Sequence, residues 1–221
     1  MPTSPLEYLL ATGLQETLPV TPIPEWAAMI MIDNHDDDGR QRTETIVSGL
    51  LERGHVVDGT IAASARQTAQ IWAIRELIPE ANKRTGPLVS HDISVPISAL
   101  NRFIPDAAGA LAKLGPYRVN CFGHYGDGNL HYNVFPPLHP SDRETAATDS
   151  AVRDREREIV SDCICERVGA YGGSIAAEHG TGRMKATRLR DEGDPTFYRV
   201  VKSIKQTLDP HGILNPGAVI V

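Results

Sequence analysis

The sequence predicts an α+β domain, a mostly antiparallel sheet with helices packed on it. Three observations lead there. Segments of helical and of strand periodicity occur in comparable number, a β-hairpin lies near the middle of the 221 residues, and no internal repeat or linker divides the chain. One domain is therefore the expected count, spanning residues 26–221 behind a lead-in of residues 1–25 that is rich in Pro and Thr.

Within the lead-in, Leu6 to Leu14 is a short apolar run of helical type. Trp26 to Ile32 is continuously apolar and reads as a buried strand. Asp33 to Gly39 is acidic. Asp33, Asp37 and Glu44 fall at calcium-loop offsets, but His35 replaces a ligand and Asp38 the turn glycine, so the segment reads as a solvated turn. Ile46, Val47, Leu50 and Leu51 share one face of a helix that Gly54 follows. Val56 to Ala62 is expected to be a strand. Ser64 to Asn82 is expected to be a long helix with Ala65, Ala69, Trp72 and Ala73 on its inner side.

His91 to Ile97 alternates as a strand that Asp92 leads, and Ile97 to Leu114 is helical in pattern, with a break expected near Pro105. The hairpin comes next. Tyr117, Val119 and Phe122 precede, and Tyr132, Val134 and Phe135 follow, the turn composition Gly126-Asp127-Gly128-Asn129. Pro136 to Asp149 is a polar loop, with Asp149 a candidate cap. Val152, Glu156, Val160, Ile164 and Val168 mark a helix that ends at Gly172-Gly173, its charged run Arg153 to Glu158 facing water. A short helix is expected from Met184 to Leu189. A last one carries Phe197, Val201, Ile204 and Leu208 at core spacing and stops at Asp209-Pro210-His211-Gly212.

Composition excludes several function classes. The net charge is -6 and no basic run occurs, which argues against nucleic acid as a partner. No stretch approaches the roughly 18 apolar residues of a membrane span, and no secretory leader is legible. Three cysteines are too few for a disulfide framework. Cys163 and Cys165 point different ways on a helix, and Cys121 reads as a small buried hydrophobe, so a cytoplasmic location is expected.

The chemistry-bearing residues concentrate in two stretches. Alternation along a strand points His131 and Asn133 the same way, and an opposing hairpin arm can bring His124 to that face. Ser174 to Arg183 adds a carboxylate, Glu178, beside an imidazole, His179, among small residues that allow close backbone approach. Two histidines and one carboxylate form the ligand set of an open catalytic metal site, so His124, His131 and Glu178 are the candidate ligands of a borderline divalent metal.

Three motifs in order, His124 to Asn133, Glu178-His179-Gly180, and Lys205 to Gly217, resemble the C-terminal domain of FAD-linked oxidases, the group of D-lactate dehydrogenases, D-2-hydroxyglutarate dehydrogenases and the glycolate oxidase large subunit. Trp72-Ala73-Ile74-Arg75-Glu76 and His91 to Pro96 fit the same pattern. The resemblance implies a metal on His124, His131 and Glu178, substrate contacts from Asn133 and His179, with His179 as the base, and a grip of Arg75 on the substrate carboxylate. It also places Asn215 near the flavin. Two departures stand out: Ser90 replaces a lysine of some members, and Pro79 replaces a threonine of the hydroxyglutarate enzymes.

The function implied is the substrate- and metal-binding part of a flavin-dependent D-2-hydroxyacid dehydrogenase that oxidises a small 2-hydroxy acid to the 2-oxo acid. The chain shows no Gly-rich cradle for a dinucleotide, so FAD is expected mainly on a separate FAD-binding domain or subunit, without which the chain is inactive. An electron-acceptor protein or quinone and a homo-oligomer are the further partners expected. The competing readings are a non-enzymatic metal-binding or interaction remnant of such an enzyme, and a metallohydrolase using the same ligand set.

Overall fold

The described structure combines a three-stranded sheet with helices. The computed structural model describes residues 4–32, 37–137 and 150–221. In chain order the elements are α1 (Pro5–Ala11), α2 (Asp37–Glu52), α3 (Ala65–Thr85), β1 (Val89–Ser94), α4 (Leu100–Leu114), β2 (Arg118–His124), β3 (Asn129–Phe135), α5 (Ser150–Ala170), α6 (Ala186–Glu192) and α7 (Pro195–Leu208). The α+β class is therefore as the sequence indicates. Sheet order is β1-β3-β2, with β1 antiparallel to β3. The chain divides into two compact units: Met1–Pro87 with Arg118–Asn120, and Leu88–Tyr117 with Cys121–Val221.

In the first unit α1 begins at a capping box. Ser4 accepts from the Glu7 amide while the Glu7 side chain accepts from the Ser4 amide, and Pro5 sits where no amide donor is needed. Helix α1 packs on α3 and buries Tyr8 and Leu9. The lead-in thus contributes to a core. Helix α3 starts on the Ser64 cap and ends at Gly86, whose φ of 76° is the left-handed value a glycine adopts freely. Its buried residues are Ile78, Ala81 and Asn82. Of the face expected from Ala65, Ala69, Trp72 and Ala73, the first three are exposed and Ala73 is half-buried.

Two expected strands are absent. Trp26–Ile32 is irregular and exposed, Met31 at 76%, and so is Val56–Ala62, Val57 at 95%. An apolar run supplies no strand unless another strand offers backbone partners, and here none among the described strands does. Helix α2 matches the Ile46–Leu51 pattern, with Gly54 beyond it at φ 69°. Residues 33–36, on which the acidic-turn reading falls in part, and Asp149 as a cap lie outside the described residues.

The second unit is built on a two-faced sheet. Directly paired residues share a face, so the register Val89↔Val134, His91↔Tyr132 and Ile93↔Leu130 defines one side. Ser90↔Asn133, Asp92↔His131 and Ser94↔Asn129 define the other. The first side is the core. Tyr132, Ile93 and Val134 bury with Phe103 and Leu111 of α4 and Val160, Ile164 and Val168 of α5, and the Phe103 ring meets Tyr132 edge-on at 6.3 Å and Tyr171 at 5.6 Å. Pro105 lies inside α4 and causes no break. It is exposed near the start of the helix, so the backbone acceptor it leaves without a donor can turn to water. Helix α7 also departs from expectation. Asp194 caps it and Pro195 opens it, yet none of its residues is buried, and Leu208 is 74% exposed.

One core residue carries a pH dependence. His91 donates from Nδ1 to the Tyr132 carbonyl at 3.2 Å. Burial, with Lys185 and Arg188 adding to it against that hydrogen bond, lowers its pKa from 6.5 to about 4. A histidine held neutral in the fold favours folding fully above its unfolded pKa, and the contribution falls as pH drops from about 6.5 toward about 4. The span corresponds to about 3 kcal/mol. Urea denaturation from pH 7 to pH 4.5 should show this loss, and His91→Phe should flatten that part of the slope. An unchanged slope in the variant would contradict it.

Candidate metal centre and its surroundings

The polar side of the sheet faces the segment that follows α5. A turn of 3-10 type at Tyr125–Asp127 and Gly128 at φ 72° close the hairpin, and a Cβ on Gly128 would stand 2.0 Å from the Val95 carbonyl oxygen. Only glycine fits, because the turn is held against β1's end by the Val95 amide donating to the Gly128 carbonyl at 3.1 Å. The segment after α5 is fastened to the same strand end by two reciprocal bonds between Ser94 and Ser174, at 2.9 and 2.8 Å. This junction delivers Glu178 and His179 to the polar side.

There the ligand atoms of His124, His131 and Glu178 all lie within 4.8 Å of one another. Nε2 of His131 is 3.0 Å from Oε1 of Glu178, and the His124 and His131 rings meet nearly edge-on at 6.2 Å. A tetrahedral ion with bonds of about 2.1 Å separates its ligands by about 3.4 Å, so the donors fit one divalent cation with small adjustments. His131 is the most enclosed of the three, lying against the Phe122 ring at 4.9 Å. Burial lowers its pKa, against the opposing pull of Glu178 and Asp92. Its lone pair is therefore the form favoured for ligation.

His179 stacks on His131 at 5.7 Å and is 68% exposed. Its Nε2 lies 3.4 Å from Glu178 Oε1 and its Nδ1 lies 3.5 Å from Asp92 Oδ2. Asn133 is buried on the same side, its carboxamide donating to the His131 carbonyl at 3.3 Å. Ser90, paired with Asn133, is exposed. Arg75 belongs to the first unit, exposed on α3 with its guanidinium 5.9 Å from the Trp72 ring centre.

Asn215 stands in a loop that Asp209 builds. Asp209 accepts from the Ile213 and Leu214 amides, each at 2.9 Å, and pairs with Lys205. Lys205, chiefly, and the two amides hold its carboxyl below the usual carboxylate range. Asn215 is exposed with φ 45°, a left-handed value that Asn tolerates better than most residues. The tail is tied to the segment just beyond His179: the Val219 amide donates to the Gly182 carbonyl at 2.7 Å, and Arg183 to the Pro216 carbonyl at 3.1 Å.

Two residues of the site escaped the sequence reading. Asp92, treated there as the start of a strand, is buried with its carboxylate at the centre of the site. Lys185 donates to the carbonyls of Asp92 and Ile175. The signal that could have found Asp92 is a carboxylate in the interior of a strand, since a buried charge needs partners. Cys121 stays out of the chemistry: burial pushes its thiol up to about 12.

Among the described residues, no helix is long and apolar enough to cross a membrane. The family described as FAD linked oxidases, C-terminal domain, matches residues 12–219. A D-2-hydroxyglutarate dehydrogenase of Xanthomonas citri pv. viticola is 36% identical over 217 residues, covering 96% of this chain and 43% of that protein. The mitochondrial D-2-hydroxyglutarate dehydrogenase of Arabidopsis thaliana is 32% identical over 203 residues, covering 91% and 34%. That of Rattus norvegicus is 29% identical, covering 94% and 36%. The chain thus spans between a third and a little over two fifths of these curated relatives.

Proposed function

Since the chain belongs to the family of FAD linked oxidases, through their C-terminal domain, we propose that it is the substrate- and metal-binding part of a flavin-dependent D-2-hydroxyacid dehydrogenase. The observation that carries this reading is the meeting of His124, His131 and Glu178 beside His179. His124, His131 and Glu178 would hold a divalent cation, zinc by the chemistry of two imidazoles and one carboxylate. When bound, the cation would supply a lowered pKa of the substrate hydroxyl and FAD an acceptor for the C2 hydride.

The chain's own residues supply the rest. The family resemblance assigns the substrate carboxylate to Arg75, a residue of the first unit whose guanidinium can form a two-bond fork, and a carboxamide contact with the substrate to Asn133. With a proton on Nδ1, on the Asp92 side, His179 keeps a lone pair on Nε2 to take the hydroxyl proton. Loss of that proton and of the C2 hydride leaves the 2-oxo acid. Ser90 and Pro79 offer no second cation for a dicarboxylate, so the substrate class is set at the level of small 2-hydroxy acids. Asn215, presented outward by the Asp209 loop, faces the flavin, which a separate FAD-binding part holds.

Calorimetric titration of the chain with D-lactate and with D-2-hydroxyglutarate tests the reading. The zinc-loaded chain is expected to bind at least one of them about ten-fold more tightly than the zinc-free chain. A chain that binds zinc but neither acid would favour the non-enzymatic metal-binding remnant.

A further inference from the structure

Asp92 is 8% exposed in its side chain, and both its oxygens are occupied. Oδ2 accepts from the backbone amides of Glu178, at 2.9 Å, and His179, at 2.8 Å. Oδ1 accepts from the Asn129 carboxamide at 3.0 Å. Asn129 is itself buried, and among the described residues no group donates to its own Oδ1. One carboxylate thus joins β1, the start of β3 and the segment that carries the candidate metal ligand and the candidate base. The Asp92 main chain is engaged as well, since Lys185 donates to its carbonyl and to that of Ile175.

Glu178 and His179 have no secondary structure to fix them: the residues around them are bends and turns. Beyond the Ser94–Ser174 bridge, the backbone bonds that set where these two side chains start are the ones Asp92 accepts. Because a single oxygen takes two successive amides, it fixes the direction of the peptide between them and not only its distance from the strand. Asp92 also pairs with His131 in the strand register, so the same residue references Glu178 and His179 to another ligand across the ladder.

We infer that Asp92 is the positioning residue of the centre: its carboxylate fixes the Glu178-His179 peptide against β1 so that Glu178 reaches the cation shared with His131 while His179 is held beside it. This deepens the metal-site reading and rests on it for the cation, but not for the positioning of the peptide.

The experiment compares the chain with Asp92→Asn and Asp92→Leu, the leucine filling the same buried space without an acceptor. Amide hydrogen exchange is read in the metal-free chain, and cobalt(II) affinity by competition with a chelator. In Asp92→Leu the Glu178 and His179 amides are expected to exchange about 100-fold faster, with little change in β3 or α5, and cobalt affinity to fall about 10- to 100-fold. Asp92→Asn keeps an acceptor oxygen, and Asn129 can turn its idle Oδ1 toward the new amide, so an intermediate rise of about ten-fold is expected. Should the leucine variant fail to fold, that intermediate rise, confined to the two amides, carries the test.

Unchanged exchange at Glu178 and His179, or a rise spread evenly over the whole second unit, would overturn the inference. A His124→Ala chain separates the two readings. If it keeps full cobalt affinity the metal site fails, while protection of the two amides still decides the role of Asp92.

Discussion

Replacing His131 by alanine is expected to lower the chain's affinity for zinc by more than about 100-fold. Loss of an outer partner of a metal ligand alone costs 10- to 100-fold, and His131 is a ligand. Its Nε2 is 3.0 Å from Glu178 Oε1 and its ring is the most enclosed of the three donors. The substitution falls on the polar side of the sheet, opposite the face that Tyr132, Leu130 and Val134 bury, so the fold is expected to survive. A chelator competition on the folded variant, with thermal unfolding as the control, measures this. Unchanged affinity would remove His131 from the ligand set.

The second large effect concerns His179. In the enzyme completed with an FAD-binding part, His179→Ala is expected to lower turnover by about 10²- to 10⁴-fold, the range of a lost general base, with zinc still bound. His124 completes a set of mutually close donors with His131 and Glu178, while His179, its Nε2 3.4 Å from Glu178 Oε1, falls in a second such set with Asp92 and Glu178, so the substitution distinguishes ligand from base. Metal content and flavin reduction by the hydroxy acid, measured on the same preparation, decide it. Loss of zinc on this substitution would make His179 a ligand and leave the base unassigned.

Much of this arrangement was legible in the residues. The hairpin was readable because Gly126-Asp127-Gly128-Asn129 interrupts two alternating runs, and its meaning because His124 and His131 flank that turn. The Ser174–Arg183 stretch could be joined to the hairpin only through chemistry, as a carboxylate seeking two imidazoles. The hydrogen bonds that bring it there, Ser94 with Ser174 and Asp92 with two amides, are between residues 80 to 87 apart in sequence and leave no periodic trace. Asp92 was missed for that reason. Two of its partners are backbone amides, which every sequence offers at every position, and the third, the Asn129 carboxamide, lies 37 residues away.

The errors share a physical origin. Trp26–Ile32 and α7 were assigned to the core from apolar spacing, but spacing states only that a face is apolar, not that a partner covers it. In α3 the spacing points to Ala65, Ala69, Trp72 and Ala73 as the inner face, whereas the buried residues are Ile78, Ala81 and Asn82, on a helix that α1 packs against. Local pattern gave the elements, and tertiary packing decided which face each one buries.

X-ray absorption at the zinc edge of the loaded chain tests the central claim most directly. The account expects two imidazole nitrogens and one carboxylate oxygen at about 2.0–2.2 Å, any remaining position being filled by a light solvent atom. A sulfur shell near 2.3 Å, which would bring in Cys121, or a spectrum with fewer than two imidazoles, would contradict it.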